Sequence, residues 1–233
     1  MNTSSPLPPG QYESKTFPRF GLTPFANRFP ENIERIQLSI AGDVDKSILI
    51  EAEMESLKRI EQCSDFHCVT TWTYKSLVWS GYRFSDFYQQ IVLPMAKPAS
   101  DVKFVVLKSQ DGYRTTLPLE DLLAANVMLA DSLNGERLSI AHGAPLRLVA
   151  PSHYGYKSVK HLKQIEFWCS DKNYQPIGFR FMAHPRARVE HEERGRWIPN
   201  VVLRYLYRPL IRSTALQFER AMQNFHAKKK NKV

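Results

Sequence analysis

HGAPLRLVAPSHYGYKSVKHLKQIEF (residues 142–167) is the most informative run in this chain of 233 residues. Leu146–Ala150 and Gln164–Cys169 read as apolar strands, with a turn or short helix near Ser158–Leu162 between them. Arg147, Lys157 and Lys160 flank a glycine turn. A glycine lets backbone N–H groups approach an anion and the cations supply charge, so the run fits an anion cradle; three solvated surface cations fit it equally. No GxxxxGK[ST] and no GxGxxG occurs, which excludes a P-loop or a dinucleotide fingerprint.

Upstream lies DFHCVTTW (65–72), followed by Trp79-Ser-Gly81. Cys68 beside His67 among aromatics suits either a soft-metal ligand or a buried free thiol acting as a small hydrophobe. With no CxxC and no HExxH, a closed structural zinc site is not expected. Three cysteines are too few and too odd for a disulfide framework.

Around these runs, six prolines (6, 8, 9, 18, 24 and 30) predict an extended arm over residues 1–30 that lies on the body. Ile36, Leu38 and Ile40 alternate with polar residues, giving a strand over 35–41, and Ser47–Ile50 gives another. A short helix is expected at 51–59, an irregular stretch at 62–81, and a helix at 86–92 capped by Ser85. Val102–Leu107 reads as a buried strand, Asp111-Gly112 and Asn134-Gly135 as turns, and 118–125 as a short helix. The run MAHPRARVEHEERGRW (182–197) is expected to wrap the surface. Apolar residues at helical spacing predict helices from Asn200 to Phe225, broken by Pro209 and followed by a frayed basic tail.

Lys and Arg exceed Asp and Glu by 32 to 23, for a net charge of +9 and a pI of about 9.5. This favours anionic partners: a phosphorylated cofactor, an acidic protein, nucleic acid or a membrane surface. Nucleic acid is not expected, because the lysine tail is short and acids are interspersed elsewhere. The N-terminus has no apolar segment of the signal-peptide kind, and no run reaches the roughly 18 apolar residues that span a bilayer. The expectation is a soluble, cytoplasmic protein. The C-terminal leucines and arginines form an amphipathic, basic pattern that either packs on the core or docks a redox partner or a membrane surface.

Taken in order, DFHCVTTW, Trp79-x-Gly81, the DGY turn at 111–113, NGERL and the 142–167 run resemble the sulfite oxidase family of molybdopterin-dependent oxidoreductases, in its short, haem-free prokaryotic form. The likeness spans about Arg35 to Phe167. It implies an α+β, β-rich fold with mixed sheets: an arm (1–30), a molybdopterin-binding catalytic domain (31–175) and a C-terminal extension (176–233). It implies a molybdenum-molybdopterin cofactor with Cys68 as metal ligand. It also implies contacts to the pterin from Asn27, His142, Arg147 and the Ser158-Val159-Lys160 tripeptide, with Lys157 adding positive potential nearby. Either Ser109 or Asp111 completes the set. Cys63 and Cys169 match no ligand position and read as packing residues. The implied chemistry is oxygen-atom transfer on a small S- or N-containing substrate, with a separate electron donor or acceptor protein. Where sulfite-oxidising members carry a substrate-side arginine, this chain has Ala26, with Arg28 two residues on; a small dianion needs a cationic pocket, so sulfite fits poorly. The rival reading is a non-catalytic basic binding module of the same fold.

Overall fold

The computed structural model describes residues 6–230. In chain order the strands are β1 (Tyr12–Glu13), β2 (Leu38–Gly42), β3 (Ile48–Ile50), β4 (Arg59–His67), β5 (Trp72–Arg83), β6 (Phe104–Ser109), β7 (Arg114–Pro118), β8 (Met128–Leu133), β9 (Glu136–Arg137), β10 (Arg147–Val149) and β11 (Leu162–Trp168). The α-helices are α1 (Phe84–Phe87), α2 (Leu93–Ala96), α3 (Leu119–Leu122), α4 (Asn200–Tyr207) and α5 (Leu210–Lys230). A π-helical turn, Tyr88–Val92, joins α1 to α2.

Two mixed sheets form the body. One runs β1-β5-β8-β10, with β4 paired to β5 and β9 to β8; the other runs β3-β2-β11-β6-β7. The expected strands at 35–41 and 102–107 are β2 and β6, and the Asn134-Gly135 turn joins β8 to β9. The α+β, β-rich architecture is as the family resemblance implied.

The main core lies between the sheets and the helical stretch 84–96. Leu38, Ile40, Val105, Leu107, Ile165 and Phe167 from the second sheet meet Leu129, Leu146 and Leu148 from the first, with Phe84, Phe87 and Ile91 alongside. Successive strand residues point to opposite faces. Leu148 therefore enters this core while its neighbour Val149 joins a smaller cluster with Leu77, Trp79 and Met128 on the other face. Arg147 shares that second face, which is where the candidate site forms.

The structure corrects several expectations. Residues 62–81 are mostly two long antiparallel strands, β4 and β5. Their period of two is broken by register shifts between Ser64 and Phe66 and between Ser80 and Gly81, and by Ser76 at φ 56°, so bulges hid the pattern. Ser85 is no cap. The helix starts at Phe84 with Arg83 at its N-cap and no side-chain cap; Phe84 N–H donates to Val127 O instead. Cys63 is exposed and Cys169 half-buried, so neither is a packing residue. The charged 182–197 run does not merely coat the surface: Ala187, Val189 and Arg194 are buried. α5 continues through Lys230, and the last part of the expected frayed tail, 231–233, lies outside the described residues.

The C-terminal helices pack on the arm. Phe218 and Ala221 of α5 cluster with Ala26 and Phe29, and Phe225 stacks on Phe29 at 4.2 Å. The Arg19 guanidinium sits between the rings of Phe29 (4.4 Å) and Phe218 (4.9 Å). Among the described residues, no helix is long and apolar enough to cross a membrane.

Candidate active site

Cys68 opens the tight connection between β4 and β5. Its N–H donates to Trp72 O (2.8 Å) and its carbonyl accepts from Thr71 N–H (3.1 Å). Thr71 sits at φ 89°, a conformation that β-branched residues rarely adopt, so the turn holds strain beside the thiol. Gln11 of the arm donates to the Cys68 carbonyl (3.1 Å). The Cys68 side chain is 8% exposed, with Sγ 3.1 Å from Thr70 Oγ1. Burial pushes the thiol pKa up; Thr70 and the charges of Arg194 and Lys160 pull it down.

Near the thiol lies a cluster of cations, buried at Arg147 and half-buried at Lys160. The Arg147 side chain is fully buried. It donates to His142 O (2.8 Å) and Ser158 O (3.2 Å), and its guanidinium lies 4.7 Å from the centre of the Trp79 ring. Lys160 Nζ donates to Ala141 O (2.9 Å). His142 stacks on Phe17 of the arm at 4.7 Å. Gly143, at φ 111°, lies against both Arg147 and Lys160, where a Cβ would come within 3.2 Å of each. A glycine is thus required for the His142 turn to close over the two cations.

The electrostatics of the cluster ask for an anion. Burial lowers Arg147 to about 9 and Lys160 to about 7, with Arg147 and Arg19 adding repulsion. Burial, then Lys160 and Arg147, lowers His142 to about 3. Among the described residues Arg147 and Lys160 have no salt-bridge partner, and Asp111 is the carboxylate that acts on Lys160. His142 Nδ1 is buried without a hydrogen-bond partner. Buried charges normally carry counter-charges. Two cations without carboxylate partners, one buried and one half-buried, an orphaned ring nitrogen and a soft thiol nearby fit a bulky anion joined to a thiophilic metal.

The remaining candidates separate by position. Ser158 holds the chain in place: its Oγ accepts from Ala150 N–H (3.1 Å). Val159 turns its side chain into the main core and exchanges main-chain bonds with Leu148 and Lys157, so only its backbone borders the cluster. Ser109 is buried, with its Oγ accepting from Asp111 N–H (3.4 Å), whereas Asp111 is half-buried and acts electrostatically on Lys160, His161 and Arg19. Asn27 is exposed and lines a surface cleft of about 460 Å³ with Ser213, Gln217, Arg220 and Asn224 of α5. Lys157 does not join the cluster. Its Nζ donates to Thr116 O and Pro185 O, both at 2.7 Å.

Three contributors had no signal in the motifs. Arg19 fastens the arm by donating to the carbonyls of Ala26 (2.6 Å) and Arg28 (2.8 Å). His161, at φ 51°, is buried and lowered to about 4, chiefly by burial. Arg194 is fully buried and reaches from the C-terminal extension to Val69 O (2.6 Å), next to Cys68, and to Pro9 O (3.1 Å) of the arm. Glu192 pairs with it at 2.9 Å and also with Arg204. Arg194→Ala strips the carbonyls of half-buried Val69 and exposed Pro9 of a charged donor and is expected to lower stability by about 2 kcal/mol in chemical denaturation. A loss below about 0.5 kcal/mol would show that Arg194 does not fasten the extension to the arm and the Cys68 turn.

Gly155 completes the frame. Its N–H donates to His67 O (2.7 Å), and a Cβ there would overlap the Phe66 ring, which lies 5.7 Å from the Arg147 guanidinium.

Against this geometry stand the comparisons with known proteins. The model of the oxidoreductase molybdopterin-binding domain matches residues 26–175. The chain belongs to this family. Within the family, YuiH of Bacillus subtilis (strain 168), an oxidoreductase, is 33% identical over 197 residues, covering 83% of this chain and 94% of YuiH. The catalytic subunit MsrP of the protein-methionine-sulfoxide reductase of Campylobacter jejuni is 27% identical over 185 residues, covering 69% of this chain and 60% of MsrP. The crystal structure of the sulfane dehydrogenase SoxCD from Paracoccus pantotrophus has a TM-score of 0.50 and 22% identity, covering 65% of this chain and 43% of that one. That last likeness concerns the fold. As a member of the family, the protein is a molybdopterin-dependent oxidoreductase, and its cofactor is molybdenum-molybdopterin.

Proposed function

We propose that this enzyme carries out oxygen-atom transfer on a small sulfoxide- or N-oxide-type substrate at a molybdenum held by Cys68. The carrying observation is a buried thiol close to the buried Arg147 and half-buried Lys160, neither of which has a salt-bridge partner among the described residues. When bound, molybdenum-molybdopterin supplies two-electron oxygen transfer, which in the reducing direction turns a sulfoxide, two protons and two electrons into a sulfide and water.

The chain's own residues do the holding. Arg147 and Lys160 would bear on the cofactor's negative groups, and His142 would turn its free Nδ1 toward the pterin. Ser158 and Val159 would support them through the main chain, and Gly143 permits the close approach. Asp111 rather than Ser109 faces the cations, and we assign it to moderating their repulsion. Asn27 would reach the pterin only from the arm side, next to the α5 cleft. The thiolate of Cys68 is the soft ligand that such a metal favours.

The arm supports a neutral substrate over sulfite. Ala26, which stands where sulfite-oxidising relatives carry arginine, is fully buried against Phe218 and Ala221. Arg28 lies over the Phe25 ring at 4.7 Å, and Arg19 gives its hydrogen bonds to carbonyls. The likeness to MsrP points the same way, toward S-oxide chemistry. The reading takes residues 1–30, 31–175 and 176–233 as arm, catalytic body and extension. It places the enzyme in the cytoplasm, where three unpaired cysteines are at home.

The test is to purify the protein from a host that makes the cofactor, measure molybdenum by mass spectrometry, and assay S-oxides and N-oxides with a reduced viologen beside a sulfite assay. About one molybdenum per chain with S-oxide or N-oxide turnover is the expected result. Metal-free protein, or sulfite oxidation alone, would contradict it.

A further inference from the structure

The last described third of the chain presents a face that the catalytic reading does not use. On α4, Leu203 and Tyr207 are buried, while Val201, Val202, Tyr205 and Leu206 are exposed. Steps of 100° per residue put these four on one side of the helix. Trp197, 76% exposed, precedes the helix, Tyr205 is 68% exposed, and Leu210 extends the strip into α5. Isolated exposed apolar residues are ordinary; a contiguous strip with two aromatic rings marks a contact surface.

The charge around this strip is of one sign. From residue 194 to residue 218 there are five arginines and no acid. Arg194 and Arg204 share Glu192. Arg196, Arg208 and Arg212 are exposed and have no ion pair among the described residues. Two of them stand beside the exposed rings: the Arg196 guanidinium is 5.9 Å from the centre of Trp197, and that of Arg208 is 6.0 Å from Tyr205.

We propose that this face docks the enzyme on an anionic phospholipid surface. Exposed aliphatics, Trp and Tyr with a polar edge, and flanking arginines without acids form the pattern that lies at headgroup level. An acidic protein would match the charge equally well; exposed aliphatics along one helix face with Trp and Tyr at its edge favour the lipid surface. Leaflets rich in anionic lipid supply the complementary negative potential. The proposal does not depend on the role of Cys68.

The experiment is co-sedimentation of the full-length holoenzyme with vesicles of phosphatidylglycerol and phosphatidylcholine, and with phosphatidylcholine alone, at low and high salt. Partitioning at least about tenfold stronger onto the anionic vesicles is expected, falling as salt rises. The triple variant Arg196→Gln/Arg208→Gln/Arg212→Gln and, separately, Tyr205→Ser/Leu206→Ser should each lose about tenfold in binding at unchanged melting temperature. Equal binding to neutral vesicles, no binding, or variants that bind like the parent would overturn the proposal. So would a concentration-dependent dimer of the parent that the Tyr205→Ser/Leu206→Ser variant abolishes, since the face would then be an interface between copies.

Discussion

Cys68→Ser is expected to leave a folded protein whose oxygen-transfer rate has fallen by about a thousandfold or more, the equivalent of several kcal/mol of lost metal-assisted stabilisation. The substitution is nearly isosteric, and its main contact, the 3.1 Å approach to Thr70 Oγ1, can be kept by a hydroxyl. The turn is fixed elsewhere, by Trp72 O, Thr71 N–H and Gln11. Stability should therefore change by less than about 1 kcal/mol. Turnover and a melting curve on the same preparation check both halves. A folded Cys68→Ser enzyme with near-normal turnover would return the thiol to the role of a buried hydrophobe.

The protein without cofactor should gain stability as pH rises from 7 to about 8.5, by about 1–2 kcal/mol from each of two lysines, Lys157 and Lys160, that burial holds near 7. Burial holds Lys160 near 7 when folded, against 10.5 as its ordinary value. In that window the unfolded chain carries the lysine proton and the folded chain sheds it, so unfolding takes up a proton and is resisted more as pH rises. Above it, the buried Cys68 thiol and Tyr113, both raised by burial, reverse the slope. Lys160→Met should remove about half of the rise, since Lys157, also lowered by burial to about 7, supplies the rest; pyrophosphate added at pH 7 should stabilise the parent more than the variant. Melting curves across pH decide; a parent that loses stability from pH 7 to 8.5 would show that no uncompensated buried lysine exists.

How much was legible in the sequence follows from the range of the interactions. β2, β6 and β11 announce themselves because their alternation or compact apolar run is local and undisturbed. β4 and β5 do not, since bulges shift the register and β5 is covered on both faces. Cys68, His142, Arg147 and Lys160 could be singled out only together, through the family resemblance; each alone has a bland alternative. Arg19 and His161 gave no signal although their hydrogen-bond partners are near in sequence, and Arg194 gave none because its role exists only once distant segments meet. Arg194 contacts Val69 and Pro9 across 125 and 185 residues, a relation that no spacing encodes. Lys157 shows the converse: a lysine inside a strong motif turns to Thr116 and Pro185 because its burial there is satisfied by two carbonyls.

The central claim is a bond between the sulfur of residue 68 and molybdenum. X-ray absorption at the molybdenum edge, on parent and Cys68→Ser proteins loaded with cofactor, measures it. The account predicts one fewer sulfur neighbour per metal in the variant; an identical sulfur shell in the two proteins would contradict it.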